Sequence, residues 1–265
     1  MSADRYSESD PPRVIDFSSL YDRHPDYVAR RQDGSLEQAQ IDIEVQLFKL
    51  PNLLRLLSPL QKIRCVLEIG CATGELVAAV PVEVGGRRVG MDISAANVAA
   101  AKARFPEVDF YCGDLSGFSD AGFDVVIISD VLEHVPDDLE LLRLAAQLGD
   151  VILVNLPLED NWLNRNRRYG PSDVSGHLRK YSLAQGLTLF ESAGLKLMKY
   201  SQVWLHETST DKARRDLRRV HLGHEFSGGW PTRVVKKVVV AAVDMVPPLG
   251  RKLFSSNLFA AVCRK

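Results

Sequence analysis

The chain has 265 residues, 33 Lys/Arg against 34 Asp/Glu, 46 % apolar residues and four cysteines. This is one large domain or one domain with a cap, too apolar and too mixed in charge for a disordered, collagen-like or coiled-coil chain. A net charge of −1 offers no nucleic-acid footprint spread over the whole surface. Cys65, Cys71, Cys112 and Cys263 form no C-x-x-C pair, so zinc-ribbon, redox-centre and disulfide-framework readings lack support and reduced cytoplasmic thiols are expected.

Charge is unevenly placed. Residues 206–265 hold 12 Lys/Arg and 5 Asp/Glu, a net of +7, which leaves −8 for residues 1–205. Such a tail is a solvated face, or it meets an anionic substrate or a membrane surface. The first eight residues lack a basic stretch followed by an apolar run, so no secretory signal is expected. The apolar run Val234 to Val246 is broken by Lys236, Lys237 and Asp244 and is too short to span a bilayer. A cytoplasmic location follows as the expectation.

Residues 1–58 contain apolar residues at helical spacing from Leu36 to Leu57, predicting an N-terminal helical cap over the sheet edge. From residue 59 onward, short apolar runs alternate with amphipathic stretches. Strands are predicted at 64–69, 88–92, 108–112, 123–128 and 150–155, and two more at 195–205 and 257–263. Helices are predicted at 75–80, from Ser94 as cap to Phe105, at 138–148, and from Ser182 to a left-handed stop at Gly194. This order predicts an α/β fold with ligands outside the carboxyl ends of parallel strands. A polar loop occupies 157–181. An insertion at 206–256 separates the last two strands, with helices at 211–222 and 231–246, the second stopped by Pro247-Pro248.

The strongest local signal is Val66-Leu67-Glu68-Ile69-Gly70-Cys71-Ala72-Thr73-Gly74-Glu75, between the first strand and first helix. Its glycines suit a tight turn and close approach of a ligand. Their G-x-x-x-G spacing departs from the dinucleotide fingerprint G-x-G-x-x-G, and Glu68 and Glu75 would repel a pyrophosphate. A dinucleotide-dependent oxidoreductase is therefore disfavoured. Asp92 ends the second strand, where a carboxylate accepts both hydroxyls of a ribose. Asp114 and Asp130 end the third and fourth, so three acceptors share one rim, although each also suits a helix cap or turn.

These residues, with Ser129-Asp130-Val131-Leu132-Glu133-His134-Val135, resemble the class I S-adenosylmethionine-dependent methyltransferases over roughly residues 60–200 and the final strand. The likeness is to the small-molecule group with E-I-G-C-x-T-G and S-D-V-L-E-H-V motifs. It implies a Rossmann-like, seven-stranded, mostly parallel sheet with helices on both faces, a methyltransferase domain over 59–265, and S-adenosylmethionine as cofactor. It also implies that backbone at Gly70, Cys71 and Gly74 approaches the methionine part and that Glu68 orients it. Asp92 would bind ribose, Ile93 would pack on adenine, Asp114 and Leu115 would hold its edge, and Asp130 would lie near the amino group or sulfonium. The segment around Tyr21 would close over the cofactor, as N-terminal helices do in relatives.

Gly176-His177-Leu178-Arg179-Lys180-Tyr181-Ser182 is similar to a further segment common in that group. The implied donor makes its methyl group electrophilic, so no metal is expected, and the protein has mainly to position an acceptor. His134 and His177 are the candidate catalytic bases for a hydroxyl acceptor, each also readable as a structural histidine. His206, with Arg168, Tyr169, Arg179 and Tyr181, is placed in the acceptor site. The expected activity is methylation of a small molecule, most readily O-methylation of a sugar, phenol or lipid-linked metabolite, with the basic insertion as acceptor cap and a phosphate-bearing acceptor among the candidates. A nucleic-acid substrate is disfavoured because no [DNS]-P-P-[YF] motif follows the fourth strand. The alternative is a methyltransferase-like scaffold that binds cofactor or protein without turnover.

Overall fold

The computed structural model describes residues 21–57, 63–84, 86–115, 122–170, 173, 175–226 and 228–265. The opening residues 1–20 and the boundary expected at 58/59 lie outside them. Seven strands run β1 (Cys65–Ile69), β2 (Arg87–Asp92), β3 (Asp109–Cys112), β4 (Phe123–Ser129), β5 (Gly149–Leu158), β6 (Leu195–Trp204) and β7 (Ser256–Arg264). They form one sheet in the order β3-β2-β1-β4-β5-β7-β6. β1 to β5 are parallel, and β7 runs antiparallel to both of its neighbours. The strand order reverses between β1 and β4, which opens a crevice at their carboxyl ends.

The strands read as unbroken apolar runs because both faces are covered. Leu67, Ile69, Val126, Ile128, Ile152 and Val154 pack on one side with α6 (Asp138–Leu148) and α7 (Leu183–Ser192). Their chain neighbours Val66, Val125, Ile127, Val151 and Leu153 pack on the other against the N-terminal helices. Those helices are α1 (Pro25–Arg30), α2 (Leu36–Glu44), a π-helical turn Val45–Lys49 and α3 (Leu50–Leu54). Val45, Phe48, Leu50 and Leu53 are buried on the middle of the sheet, and Phe48 meets Phe259 edge-on at 5.2 Å. The N-terminal segment thus covers a face of the sheet, not the edge expected from the sequence, because its apolar stripe matches the inner residues of β1, β4, β5 and β7.

Helices α4 (Glu75–Ala79) and α5 (Ala95–Arg104) follow β1 and β2. Ser94 caps α5 by accepting from Asn97 N, and Ser182 caps α7 with a reciprocal Gln185 bond. The insertion forms a short 3-10 turn and three helices, α8 (Ser209–Leu222), α9 (Trp230–Met245) and α10 (Pro247–Leu253). Pro247-Pro248 ends α9 as expected but also opens α10, since proline's missing N–H costs nothing in a first turn. β5 continues through Leu158, two residues into the expected loop.

Candidate active site

The crevice at the β1/β4 reversal holds a cavity of about 640 Å³. Gly70 (φ +72°) and Gly74 (φ +87°) bracket the turn after β1. A Cβ on Gly70 would lie 2.5 Å from Val131 Cγ2, and one on Gly74 would lie 2.6 Å from the Phe110 ring. Both positions therefore need glycine on two counts, backbone conformation and space. Ala72 between them also has positive φ (47°), a strained state for a residue with a Cβ. Gly70 and Ala72 line the cavity, whereas Cys71 packs its side chain into the core beside Val77 and Phe110. The amides of Gly70 and Cys71 both donate to Met91 O, at 2.8 and 2.9 Å, and so serve the turn itself.

Asp92 stands at the end of β2 on the cavity wall with Ile93. Its Oδ2 accepts from Ala72 N and its Oδ1 from Ser94 N, each at 2.8 Å. Burial raises its pKa, against those two N–H bonds. The Asn97 side chain bonds it as well, so of about four lone-pair directions on the carboxylate one remains for a ligand. Asp114 and Leu115 line the wall beyond β3. Tyr21 and Tyr27 complete that side with Ala72 and Asn97; Ala72 lies within the glycine turn, but spacing does not join the other three to it. Only Tyr21 was foreseen among the four. Arg31 pins this N-terminal segment by donating to Tyr21 O, Asp22 O and Asn97 Oδ1.

Glu68 lies off the cavity, fully buried, with Oε2 accepting from Val77 N at 2.9 Å. It ties β1 to α4, so it acts on the turn and not on a ligand. Burial pushes its pKa up to about 8, against the opposing effects of Lys49 and the Val77 amide. Glu75 is also buried, but Arg104 at 2.7 Å and Arg30 at 3.9 Å neutralise it. Its charge is spent internally, so it gives no repulsion toward a pyrophosphate. The glycine spacing carries that exclusion without it.

On the opposite wall, Asp130 ends β4 with φ +55°. Lys49 Nζ reaches it at 2.7 Å and Glu44 at 3.3 Å, and Asn155 Nδ2 donates to Asp130 at 3.0 Å. Burial disfavours the Lys49 charge, but the two carboxylates more than offset this and hold its pKa above the ordinary lysine value. The π-helical turn delivers this lysine. Leu50 N reaches back five residues to Val45 O just before Pro51, where a proline ring would crowd a normal α-turn. Lys49 escaped the sequence reading, although one lysine within the buried run Val45–Leu53 is its signal.

The two later motifs form a single clasp. His134 Nδ1 donates to Gly176 O at 3.1 Å, Leu178 N donates to Glu133 O at 2.8 Å, and the His134 and His177 rings meet edge-on at 4.6 Å. His177 Nδ1 pairs with Glu159 Oε2 at 2.7 Å. Arg179 donates to Pro136 O at 2.6 Å and pairs with Asp138 at 2.7 Å. Tyr181 is buried and bonds Asp138 and Leu132 O. Arg179 and Tyr181, expected at the acceptor, thus brace the backbone behind the cavity, because their polar ends are taken up there. Arg168 is exposed, and Tyr169 lies under the Arg167 guanidinium, 4.8 Å from its ring centre. His206 packs on Phe254 within the insertion, away from the cavity.

Of the expected bases, His134 alone lines the cavity, and His177 stands behind it. Burial, and then the neighbouring His177 ring, pull the His134 pKa down to about 4, against the Gly176 carbonyl. The ring is therefore neutral at pH 7, with Nδ1 carrying the proton and Nε2 a lone pair. Glu133 is buried with neither carboxylate oxygen hydrogen-bonded, and burial and then Asp130 hold its pKa well above the carboxyl range. One ligand atom from each of Glu133, His134 and His177 lies within 4.8 Å of the others, a donor set of the type that accepts a divalent cation.

A methyltransferase-domain family profile matches residues 41–200. A probable S-adenosylmethionine-dependent methyltransferase of Mycolicibacterium smegmatis is 32 % identical over 143 residues, 51 % of this chain and 52 % of that protein. A ubiquinone biosynthesis O-methyltransferase of Azorhizobium caulinodans is 36 % identical over 100 residues, 36 % of this chain and 39 % of that protein. The chain thus spans about half or less of the length of these relatives. Among solved structures, phosphoethanolamine N-methyltransferase 2 of Haemonchus contortus, in complex with S-adenosylmethionine, superposes with a TM-score of 0.61. It is 16 % identical, with 97 % of this chain and 62 % of that one covered, which speaks to fold only. Matched over more than half of its length, on a seven-stranded sheet with the glycine turn at its reversal, the chain belongs to the class I S-adenosylmethionine-dependent methyltransferases.

Proposed function

We propose that this chain methylates a small molecule, with a hydroxyl oxygen as the acceptor atom, in the cavity between β1 and β4. The observation that carries the reading is the shared cavity itself: Gly70, Asp92 and Asp130 on the cofactor side face the neutral His134 ring. The residues present fit S-adenosylmethionine. The turn at Gly70 brings bare backbone to the cavity wall, and Asp92 stands on that wall as a carboxylate suited to ribose hydroxyls. Ile93 offers an apolar surface for a base, with Asp114 and Leu115 at its edge, and Asp130 faces the region suited to a cationic group.

When bound, that cofactor supplies an electrophilic methyl group, so the protein's own contribution is placement and proton handling. Val131, Val135, Leu141 and Leu144 give the acceptor side an apolar wall that excludes water. His134 Nε2 takes the acceptor's hydroxyl proton, while the Gly176 carbonyl fixes the ring's tautomer. Glu68, Lys49 and the 176–181 clasp are positioning residues. The O-methyltransferase named among the relatives supports an oxygen acceptor, and the apolar wall supports a phenol or lipid-linked metabolite. We place the reaction in the cytoplasm, in keeping with the cysteine pattern. Among the described residues no helix is long and apolar enough to cross a membrane.

Calorimetric titration with S-adenosylmethionine, S-adenosylhomocysteine and NAD(P) tests the cofactor, followed by transfer of labelled methyl to a panel of sugars, phenols and lipid-linked glycans. Micromolar binding of the first two ligands, with label appearing in a base-stable ether, is expected. Binding of NAD(P) alone overturns the reading. Cofactor binding without transfer to any acceptor favours the non-catalytic scaffold. His134→Gln is expected to lower turnover by about 10²- to 10⁴-fold, with the cofactor Kd nearly unchanged. Equal turnover by the variant removes His134 from the reaction.

A further inference from the structure

β6 ends and β7 begins beside Leu158, the carboxyl end of β5, since Leu158 and Trp204 both pair with Ser256. The insertion therefore rises from the same rim as the cavity. Helix α9 is packed onto the protein chiefly through Val243, its one fully buried residue. At about 100° per residue, Trp230, Val234, Val238, Ala241 and Met245 fall on one line, with Val235 beside it. Trp230 is 77 % exposed, Val238 63 % and Met245 82 %. In α10 and the junction before it, Leu249 and Val246 extend the exposed surface.

The loop after β5 adds to this region. Asn161 and Asn164 both donate to Ser255 Oγ, at 2.9 and 3.1 Å, and Trp162 N donates to Lys252 O at 3.5 Å. This fastens Trp162 and Leu163, each at least half exposed, beside the end of α10. Cations border the patch. Residues 228–252 contain Arg233, Lys236, Lys237 and Lys252 against Asp244, together with Arg251, whose charge Glu207 takes up at 2.8 Å. On α9, Lys237 and Arg233 follow one side of the apolar line and Lys236 lies beyond them.

We propose that this face is a docking surface for an anionic lipid membrane, with α9 lying in the interfacial plane. The pattern of a basic border, a continuous apolar line and tryptophans at its ends is that of an interfacial helix. A second copy of the chain fits less well, because two such faces would each bring Arg233, Lys236 and Lys237 with the single acidic residue Asp244 of α9, whereas an anionic bilayer complements that excess of positive charge. The docking stands independently of the methylation reading. Where both hold, an acceptor with a lipid tail reaches the rim directly from the bilayer.

The test is co-sedimentation of the full chain with vesicles of phosphatidylcholine alone and of phosphatidylcholine mixed with phosphatidylglycerol. Strong binding to the mixed vesicles, weakened by high salt, is expected. Val235→Asp with Val238→Asp, and separately Lys236→Glu with Lys237→Glu, each lower the partition coefficient at least about tenfold. Circular dichroism and cofactor affinity stay at wild-type values, and Val235→Ser with Val238→Ser gives a milder loss in the same direction. No binding to mixed vesicles overturns the proposal, as does equal binding by the aspartate variant. A dimer in sedimentation velocity that the aspartate variant abolishes, without vesicle binding, assigns the face to a second copy and also overturns it.

Discussion

Asp92 and Glu68 sit at adjoining strand ends, yet their environments assign them different tasks. Asp92 accepts from the amides of Ala72 and Ser94 and from the Asn97 side chain, and it borders the cavity. Asp92→Asn keeps an acceptor for one amide and removes the charge, so the Kd for S-adenosylmethionine should rise at least about tenfold by calorimetry, on a loss of one charge-assisted bond of about 1.5–3 kcal/mol. Unchanged affinity in a folded variant removes the ribose assignment. Glu68 titrates inside the protein. Its folded pKa, about 8, is above its unfolded value, so the folded state binds the proton more tightly. Stability is therefore fullest below the unfolded carboxyl pKa and falls as pH rises toward 8, by up to about 1.4 kcal/mol per pH unit. Glu68→Gln cannot titrate, and its denaturation midpoint should fall less between pH 5 and 8 than the wild type's, within about one pH unit of those limits. Parallel curves for the two proteins would contradict this.

At the scale of elements, the 131–138 and 176–181 segments illustrate how polar residues on loops serve packing. The bonds to Gly176 O, Glu133 O and Leu132 O satisfy backbone groups there. Tyr181 bonds both Asp138 and Leu132 O, so Tyr181→Phe should cost about 1 kcal/mol in chemical denaturation. The cofactor Kd should stay within about twofold, since Tyr181 does not border the cavity. A large change in Kd with little change in stability would instead return Tyr181 to the ligand site. The same distinction applies to the helical rod of α2, the π-turn and α3. Its apolar stripe was readable as a helix, but the widened turn that aims Lys49 at Asp130 follows from Pro51 and from the carboxylates waiting there.

Across the whole molecule, a line of charges joins three regions distant in sequence. Asp130 on the cavity pairs with Lys49, Lys49 with Glu44, and Glu44 with Arg214 of the insertion at 3.1 Å. The N-terminal segment is equally shared: Tyr21 and Tyr27 wall the cavity while Phe48 and Leu53 cover the sheet. Removing residues 1–34 takes away the two tyrosines and keeps the covering helices. Such a chain should retain its far-ultraviolet dichroism while its cofactor affinity falls at least about tenfold, measured by calorimetry. Wild-type affinity in the truncated chain would show that the N-terminal wall is dispensable.

The sequence by itself determined the seven strands, the glycine turn and the helices between the strands other than α10, because these depend on local periodicity, capping residues and backbone conformation. Ser94, Ser182 and Gly194 mark helix ends through their own bonds or their own φ, without help from distant parts of the chain. The aspartates at the ends of β2, β3 and β4 were legible for the same reason: parallel strands ending in register share a rim. Only the tertiary structure decided which polar residues face the cavity. His134 borders it while Arg179, Tyr181 and His206 do not, and Glu75 is silent because Arg30 and Arg104, from two other helices, neutralise it. Those outcomes rest on the partner each charged or aromatic group finds across long sequence separations, and spacing within a motif carries no information about that partner.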